Sequence, residues 1–478
     1  MRRFFLLGLA VLSGCDIGPD FRAPTAPVPG AFKEAPKPAQ GWSEANPADG
    51  LPKGNWWELY GDSDLNKLEP LVAVSNQTLA ADYDAYQQSI AIVNETRGGL
   101  FPTIGLNGSA TRSGSGSGGI SGGAGGGGVS SGPRTSGTLE GSADWTPDIW
   151  GKIRRQVEAN KAAAQVSAAD LANATLSEQA ALAADYIDLR GSDSLIELLN
   201  QTVTAYQRSL KITQNQANAG VATPLDVITA QTQLEGAQAQ LVNAGAARAQ
   251  YEHAIAVLVG HAPADLTIPP GALMSSVPVI PAGVPSTLLQ RRPDIAAAER
   301  AVAEENALVG VAIGAFYPDL TLSALGGFSA DPIGGLFSVS NTLWSLGASA
   351  TGTLFEGGQR SAAVQAAEFA YDEAVANYRQ TVLSAFQQVE DNLSNLRILA
   401  QQADLEQAAV TDSARAVQIS LNEYQAGTQA YTTVVTAQAT LLANEQTALS
   451  VQQNRLLDSV ALIQALGGGW QKADLPNP

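Results

Sequence analysis

The chain has 478 residues, a formal net charge of −18, and 15% charged against 45% hydrophobic side chains. With 45 acidic and 27 basic residues and no basic stripe, it lacks the electrostatic footprint of a nucleic-acid binder. A single cysteine excludes an intramolecular disulfide, and with only two histidines, His253 and His261, no Cys/His cluster has metal-ligating spacing.

The N-terminus runs Met1-Arg2-Arg3 and then an apolar stretch from Phe4 to Val11, broken only by Gly8. That stretch is about half of the ~20 residues a helix needs to span a bilayer, so 1–14 reads as a secretory signal peptide. The lone cysteine follows small residues in Leu12-Ser13-Gly14-Cys15, which resembles a bacterial lipobox. In a lipobox the signal peptidase cuts before the cysteine. Its thiol takes a diacylglycerol and its new amine a further acyl chain, and two or more chains anchor stably where one is marginal. Cys15 is therefore the expected lipidation site, at the head of an extended, Pro-rich arm over 15–60. No later stretch approaches ~20 apolar residues, so any crossing of a bilayer must be made by strands.

Past Pro102, the run Thr103 to Thr111 alternates Ile, Leu, Gly, Ala with Thr, Gly, Asn, Ser, and Thr138 to Trp145 alternates likewise. Period two predicts strands near 101–112 and 137–147. The glycine-rich segment 113–137 between them cannot pack a core and reads as a mobile loop at an outer mouth. From about Lys152 to Ala217 no proline interrupts an Ala-, Leu-, Gln- and Glu-rich run, which at 1.5 Å per residue gives a helix on the order of 100 Å long. Leu195, Leu199, Val203, Tyr206 and Leu210 form an apolar seam. A tight turn at Gly220 leads to a returning helix, with Asp226 near its start and a seam of Val227, Ala230, Leu234, Ala237, Leu241 and Ala244. Asp226 is suited either to capping that helix or to a gate. A Pro-rich linker over 261–285 holds His261 and Met274, the latter expected to serve packing.

The same order is then written again. "NAGVATPLDVITAQTQL" (218–234) aligns with "QAGTQAYTTVVTAQATL" (425–441), pairing Gly220 with Gly427 and Gly260 with Gly467, a step of 207. Pro102 and Pro318 are 216 apart, so the register slips in the strand region, as expected where loops absorb insertions. Strands are predicted near 318–330 and 341–355, and a last helix places Leu442, Leu449, Leu456 and Ile463 seven apart. The chain thus divides into a signal peptide (1–14), arm (15–60), first repeat (61–260), linker (261–285), second repeat (286–468) and tail (469–478). Glu140, Asp144 and Asp319 fall on the polar strand face, where in a pore they would favour cations. Trp145, Trp150 and Trp344 suit an interfacial belt or a core equally well. Four strands cannot close a barrel, since open edges are not tolerated in lipid; either the strands stay out of the membrane or several chains share one barrel.

Several stretches then resemble one family in order. Cys15-Asp16-Ile17-Gly18-Pro19-Asp20-Phe21 resembles the mature start of outer-membrane efflux lipoproteins of the NodT and OprM type, within the TolC-like outer membrane factors. "RRPDIAAAERAVAEENALVGVAIGAFYPDLTLSALGG" (291–327) resembles the family's most specific stretch. "DIWGKIRR" (148–155) and "LFEGGQR" (354–360) resemble its strand-to-helix crossings, and "AGVATPLDVITAQ" (219–231) its distal turn.

The resemblance implies an α+β membrane protein with internal duplication. Three chains would each give four strands to a shared twelve-stranded transmembrane β-barrel, continued by a long periplasmic α-helical barrel. Its partners would be two further copies in a homotrimer, a periplasmic adaptor (membrane fusion) protein, an inner-membrane RND pump and outer-membrane lipid, with no cofactor. The turns around Gly220, Asp226, Gly427 and Thr428 would be the docking and gating tips. Two positions depart from the family pattern. Asp16 follows the cysteine, a signal for inner-membrane retention in enteric bacteria, and the second turn, "AGTQAYTTVV", lacks the family's acidic residues. The expected function is a passive exit duct of a tripartite efflux system. A duct for type I protein secretion and a non-conducting coiled-coil structural lipoprotein are the alternatives. No nucleophile–base–acid set marks an enzyme.

Overall fold

The computed structural model describes residues 17–34, 55–114, 133–280 and 285–478. After a 3-10 turn at Trp56–Tyr60, helix α1 (Leu65–Ser75) leads into α2 (Gln77–Gly98). Asn76 caps α2, its side-chain oxygen accepting from the amides of Thr78 and Leu79. Strands β1 (Thr103–Ser113) and β2 (Arg134–Trp145) follow, then the 67-residue α3 (Lys152–Asn218) and the 35-residue α4 (Pro224–Leu258). The second half runs α5 (Leu288–Arg291), α6 (Pro293–Gly314), β3 (Asp319–Ala330), β4 (Thr342–Thr351), α7 (Gln359–Gln425) and α8 (Tyr431–Ala465). Helix α7 again has 67 residues and α8 again 35, while α2 and α6 both have 22.

Each long helix starts the same way. Gly151 and Gly358 precede α3 and α7 in left-handed conformation, with φ of 82° and 92°. The first free amides are then taken by a nearby carboxylate. Asp148 accepts from Ile153 N (3.1 Å) and Arg154 N (2.9 Å), and Glu356 accepts from Arg360 N (3.1 Å). At 1.5 Å per residue each long helix spans about 100 Å. Among the described residues, no helix is long and apolar enough to cross a membrane.

Among the described residues, three larger apolar clusters and a small alanine cluster at Ala169, Ala296 and Ala297 hold the helices together. One lies where the middle of α3 meets α1, the end of α4 and α8, with Trp56, Leu182, Tyr186, Ile255, Leu456 and Ile463 among its buried members. A second packs α5, α6, α7 and α8 around Ile295, Val302, Val382, Phe386 and Leu462. The third lies near the distal turns and contains Tyr206, Leu210, Ala230, Leu234, Tyr424, Tyr431 and Val434. Of the seam positions read from spacing alone, Leu199, Tyr206, Leu210, Ala230, Leu234, Ala237, Ala244, Leu456 and Ile463 are buried, while Leu195, Val203, Val227, Leu241, Leu442 and Leu449 are half-buried.

The segment after α4 is fastened rather than loose. Ile268 is buried and Met274 packs on the first cluster. Four charged side chains clamp the backbone here. Arg190 donates to Pro269 O (2.7 Å), Arg248 donates to Ile268 O (2.6 Å), Glu252 accepts from Ile268 N (2.7 Å) and Asp193 accepts from Gly271 N (3.0 Å). Asp193 also binds both guanidiniums, at 3.3 Å to Arg190 and 2.6 Å to Arg248.

Residues 17–34 form an extended strap along α3, α6 and α7. Ile17 N donates to Trp150 O (3.4 Å), and Arg155 Nε donates to Ile17 O (3.0 Å). Asn306 donates to Pro19 O (2.9 Å), Arg379 to Thr25 O (3.2 Å), and Phe32 buries its ring edge-on against Phe386. The strap ends where Lys33 N and Glu34 N donate to the Glu390 carboxylate at 2.7 and 2.9 Å.

Candidate functional site: a two-faced sheet and paired helix tips

The four strands form one antiparallel sheet in the order β1-β2-β3-β4. The register sorts side chains by face, because directly opposed residues point the same way. Ile104 opposes Ala143, Leu106 opposes Gly141, and Gly108 opposes Leu139. Across the next pairings Leu139 opposes Phe328, Trp145 opposes Leu322, Ala324 opposes Leu346 and Gly326 opposes Trp344. One face is thus apolar or glycine across its middle. The other carries Thr103, Asn107, Ser109, Thr138, Ser142, Thr321, Ser323, Ser345 and Ser349, interrupted by Leu325 and Leu343.

In the single chain the apolar face is uncovered: Ile104 is 84% exposed, Leu106 79%, Trp344 76% and Leu346 77%. Contiguous exposed apolar surface of this kind marks a face made for lipid or a partner. Strands of 10 to 12 residues match the length of a tilted bilayer-crossing strand. Both edge strands, β1 and β4, leave one row of backbone groups without a strand partner among the described residues. At the strand-to-helix crossing Trp145 Nε1 donates to Leu100 O, Trp150 Nε1 donates to Pro318 O, both at 2.9 Å, and Trp150 stacks on Tyr317.

Glu140, Asp144 and Asp319 all lie on the polar face but are not drawn into one cluster. Glu140 accepts from Asn107 Nδ2 at 3.3 Å, Asp144 stands opposite Thr103 and Ser323, and Asp319 opposite Thr351. Cys15 and most of the glycine-rich segment, 115–132, lie outside the described residues. Ile17, two residues after Cys15, is pinned at Trp150 beside the sheet's base.

At the far end the two hairpins turn alike. Gly220 and Gly427 take φ of 79° and 73°, closing turns in which Val221 N reaches back to Gln216 O and Thr428 N to Glu423 O. Thr428 Oγ1 also donates to Glu423 O at 3.0 Å. Asp226 caps α4 in a reciprocal box with Thr223: its carboxylate accepts from Thr223 N at 2.9 Å, and its own amide donates to Thr223 Oγ1 at 3.2 Å. The two tips touch through residues that spacing did not single out. Gln216 donates to Tyr424 O (3.2 Å), Ser209 and Tyr431 share a hydrogen bond (3.3 Å), and the rings of Tyr424 and Tyr431 sit 5.1 Å apart. Burial, with the Asp226 carboxylate adding to it, raises both phenols above their ordinary pKa. The sequence signal for this contact was the aromatic pair flanking the Gly427 turn, Tyr424 and Tyr431.

A sheet with one apolar face and open edges, standing on helices about 100 Å long, has the architecture of an outer-membrane channel protein with a periplasmic extension. The family model described as outer membrane efflux protein matches residues 71–261 and 284–468. The antibiotic efflux pump outer membrane protein ArpC of Pseudomonas putida is 30% identical over 481 residues, covering 97% of this chain and 96% of that protein. The solvent efflux pump outer membrane protein SrpC of Pseudomonas putida is 29% identical over 472 residues, covering 97% of each chain. Among solved structures, the outer-membrane channel OprN superposes with a TM-score of 0.85 at 28% identity, covering 96% of this chain and all of that one. The chain belongs to the outer membrane efflux protein family.

Proposed function

We propose that three copies of this chain assemble into one twelve-stranded barrel in the outer membrane, continued by a hollow helical tube through the periplasm. The observation that carries this reading is the open sheet. Two unpaired edges beside an apolar face cost several kcal/mol per unsatisfied backbone group in lipid. Pairing β4 of one copy with β1 of the next removes both edges, and twelve strands leave room for a lumen. The equal lengths of α3 and α7 and of α4 and α8 support an internal duplication whose copies span 61–260 and 286–468, joined by the linker 261–285. The duplicated hairpins then pack as coiled coils around the tube.

The duct is passive. It receives small molecules from a periplasmic adaptor and an inner-membrane RND pump, which supply the energy and the choice of cargo. Glu140, Asp144 and Asp319 face the lumen and favour cations over anions. The Gly220 and Gly427 turns, with Asp226 and Thr428, form the end that meets the adaptor and gates the tube. Signal peptidase removes 1–14, and acylated Cys15 anchors the arm beside Trp150. Single-channel recording of the detergent-extracted protein, with native mass measurement, tests this. A trimer giving long-lived, cation-preferring steps is expected. A monodisperse monomer that never conducts would overturn the reading, and passage of unfolded polypeptide would move it to protein secretion.

A further inference from the structure

A cleft of about 220 Å³ opens between α3, α7 and α8, above the tip cluster. Its walls are apolar: Ile212 from α3, Val417 and Leu421 from α7, Leu441 and Leu442 from α8. Most of its polar lining is already spoken for. Thr202 Oγ1 donates to Leu198 O, Ser209 is bonded to Tyr431, and the Tyr206 hydroxyl to Gln233.

Two groups on α8 are not. Gln438 is 4% exposed, lines the cleft, and its Oε1 has no hydrogen-bond partner among the described residues. A buried acceptor without a donor is destabilising, so its retention calls for a donor. Glu445 is half-buried in the same wall and makes no ion pair among the described residues. Burial raises its pKa, the mark of a carboxylate short of a counter-charge. Arg208 also lines the cleft but is exposed, so its charge is solvated. Gln438 and Glu445 are seven residues apart, about two helical turns or ~10 Å along one face of α8.

We infer that this cleft binds a small single-ring amphiphile with a protonated amine at one end, for Glu445, and a neutral hydrogen-bond donor at the other, for Gln438. The size agrees. A cavity of about 150 Å³ holds benzene, and the remaining volume suits a short ammonium arm and a hydroxyl. The inference concerns a cleft within one chain and does not rest on the channel reading.

Tyramine is the probe, compared with phenethylamine, which lacks the hydroxyl, and 4-ethylphenol, which lacks the amine. Calorimetric titration into the full protein in detergent should show saturable binding, one tyramine per chain. A charge-assisted contact is worth about 1.5–3 kcal/mol, so 4-ethylphenol should bind at least about tenfold more weakly. A neutral hydrogen bond is worth about 1 kcal/mol, so phenethylamine should lose about fivefold. Glu445→Gln should abolish only the preference over 4-ethylphenol. Gln438→Met, which keeps the volume and removes the acceptor, should abolish only the preference over phenethylamine. Two results would overturn the assignment. One is non-saturable uptake that follows detergent concentration. The other is a pair of folded variants that leave both preferences intact or lower all three ligands alike.

Discussion

At the scale of single residues, the informative side chains are polar groups placed where water does not reach. Glu69 of α1 is fully buried, neither carboxyl oxygen has a partner among the described residues, and burial pushes its pKa from 4.5 up to about 9. In the folded chain it therefore holds its proton at neutral pH, while the unfolded chain has released it. Stability from this group is complete below about pH 4.5 and is lost as pH rises toward 9. Glu69→Met should raise the melting temperature at pH 8 by removing a penalty of about 1–3 kcal/mol, with a smaller gain at pH 5. Melts across that range check the slope. Asp193 is the opposite case, a buried carboxylate shared by two guanidiniums and a backbone amide. Asp193→Ala removes a carboxylate from both guanidiniums, leaving Arg190 with Asp64 (3.3 Å) and Arg248 with Glu252 (3.4 Å), and should cost about 1.5–3 kcal/mol. Limited proteolysis should then cut within 261–280, which the intact clamp protects. None of these burials was legible in the sequence, where Glu69 is one acid among many. Its isolation is created by α3 and the Trp56 cluster arriving from elsewhere in the chain. Asp226 was half legible: its place at a helix start announced the cap, and the Thr223 box is what the structure contains.

At the scale of elements, much more could be read ahead. Strand alternation separated the apolar and polar faces in β1 and β2, and in β3 and β4 apart from Leu325 and Leu343, because period two is a property of local backbone geometry. Seven-residue spacing likewise found Leu456 and Ile463 inside. The boundaries were less visible: β4 stops at Thr351, and Leu354 and Phe355 beyond it are exposed. The faces make a sharp comparison of neighbours. Leu106 and Asn107 are adjacent in β1, but Leu106 lies on the apolar face and Asn107 opposite Glu140. Leu106→Arg should destabilise the membrane-inserted form by about 2–4 kcal/mol if near mid-bilayer, whereas Asn107→Arg should assemble normally. Refolding titrations into lipid vesicles measure both. In conductance, Asn107→Arg should instead weaken cation preference, since it sets a positive charge beside Glu140.

At the scale of the whole molecule, the arm ties the sheet's base to the helical body. Its described contacts run from Trp150 to Glu390 and use backbone groups as much as side chains, so they do not depend on the anchor itself. Cys15→Ser should therefore leave the fold and melting temperature unchanged while removing the acyl mass seen by intact-protein mass spectrometry. An unmodified wild-type mass would remove Cys15 from the anchor role. The resemblance carried in 291–327 proved a guide to family, whose model matches residues 71–261 and 284–468. The cleft between α3, α7 and α8 could not be foreseen from either half alone, because its walls come from both.

The two long hairpins also obey a common measure. Helices α3 and α7, and α4 and α8, agree to the residue, whereas the loops joining the strands differ freely in length. The legs of a stool may be carved differently, but they must be cut to one height if the stool is to stand level. A residue gained in α3 alone would lift one tip about 1.5 Å above the other and turn its seam by about 100°. A change of helix length that keeps the two tips level must therefore come in pairs, most easily in whole sevens that restore the seam in both hairpins.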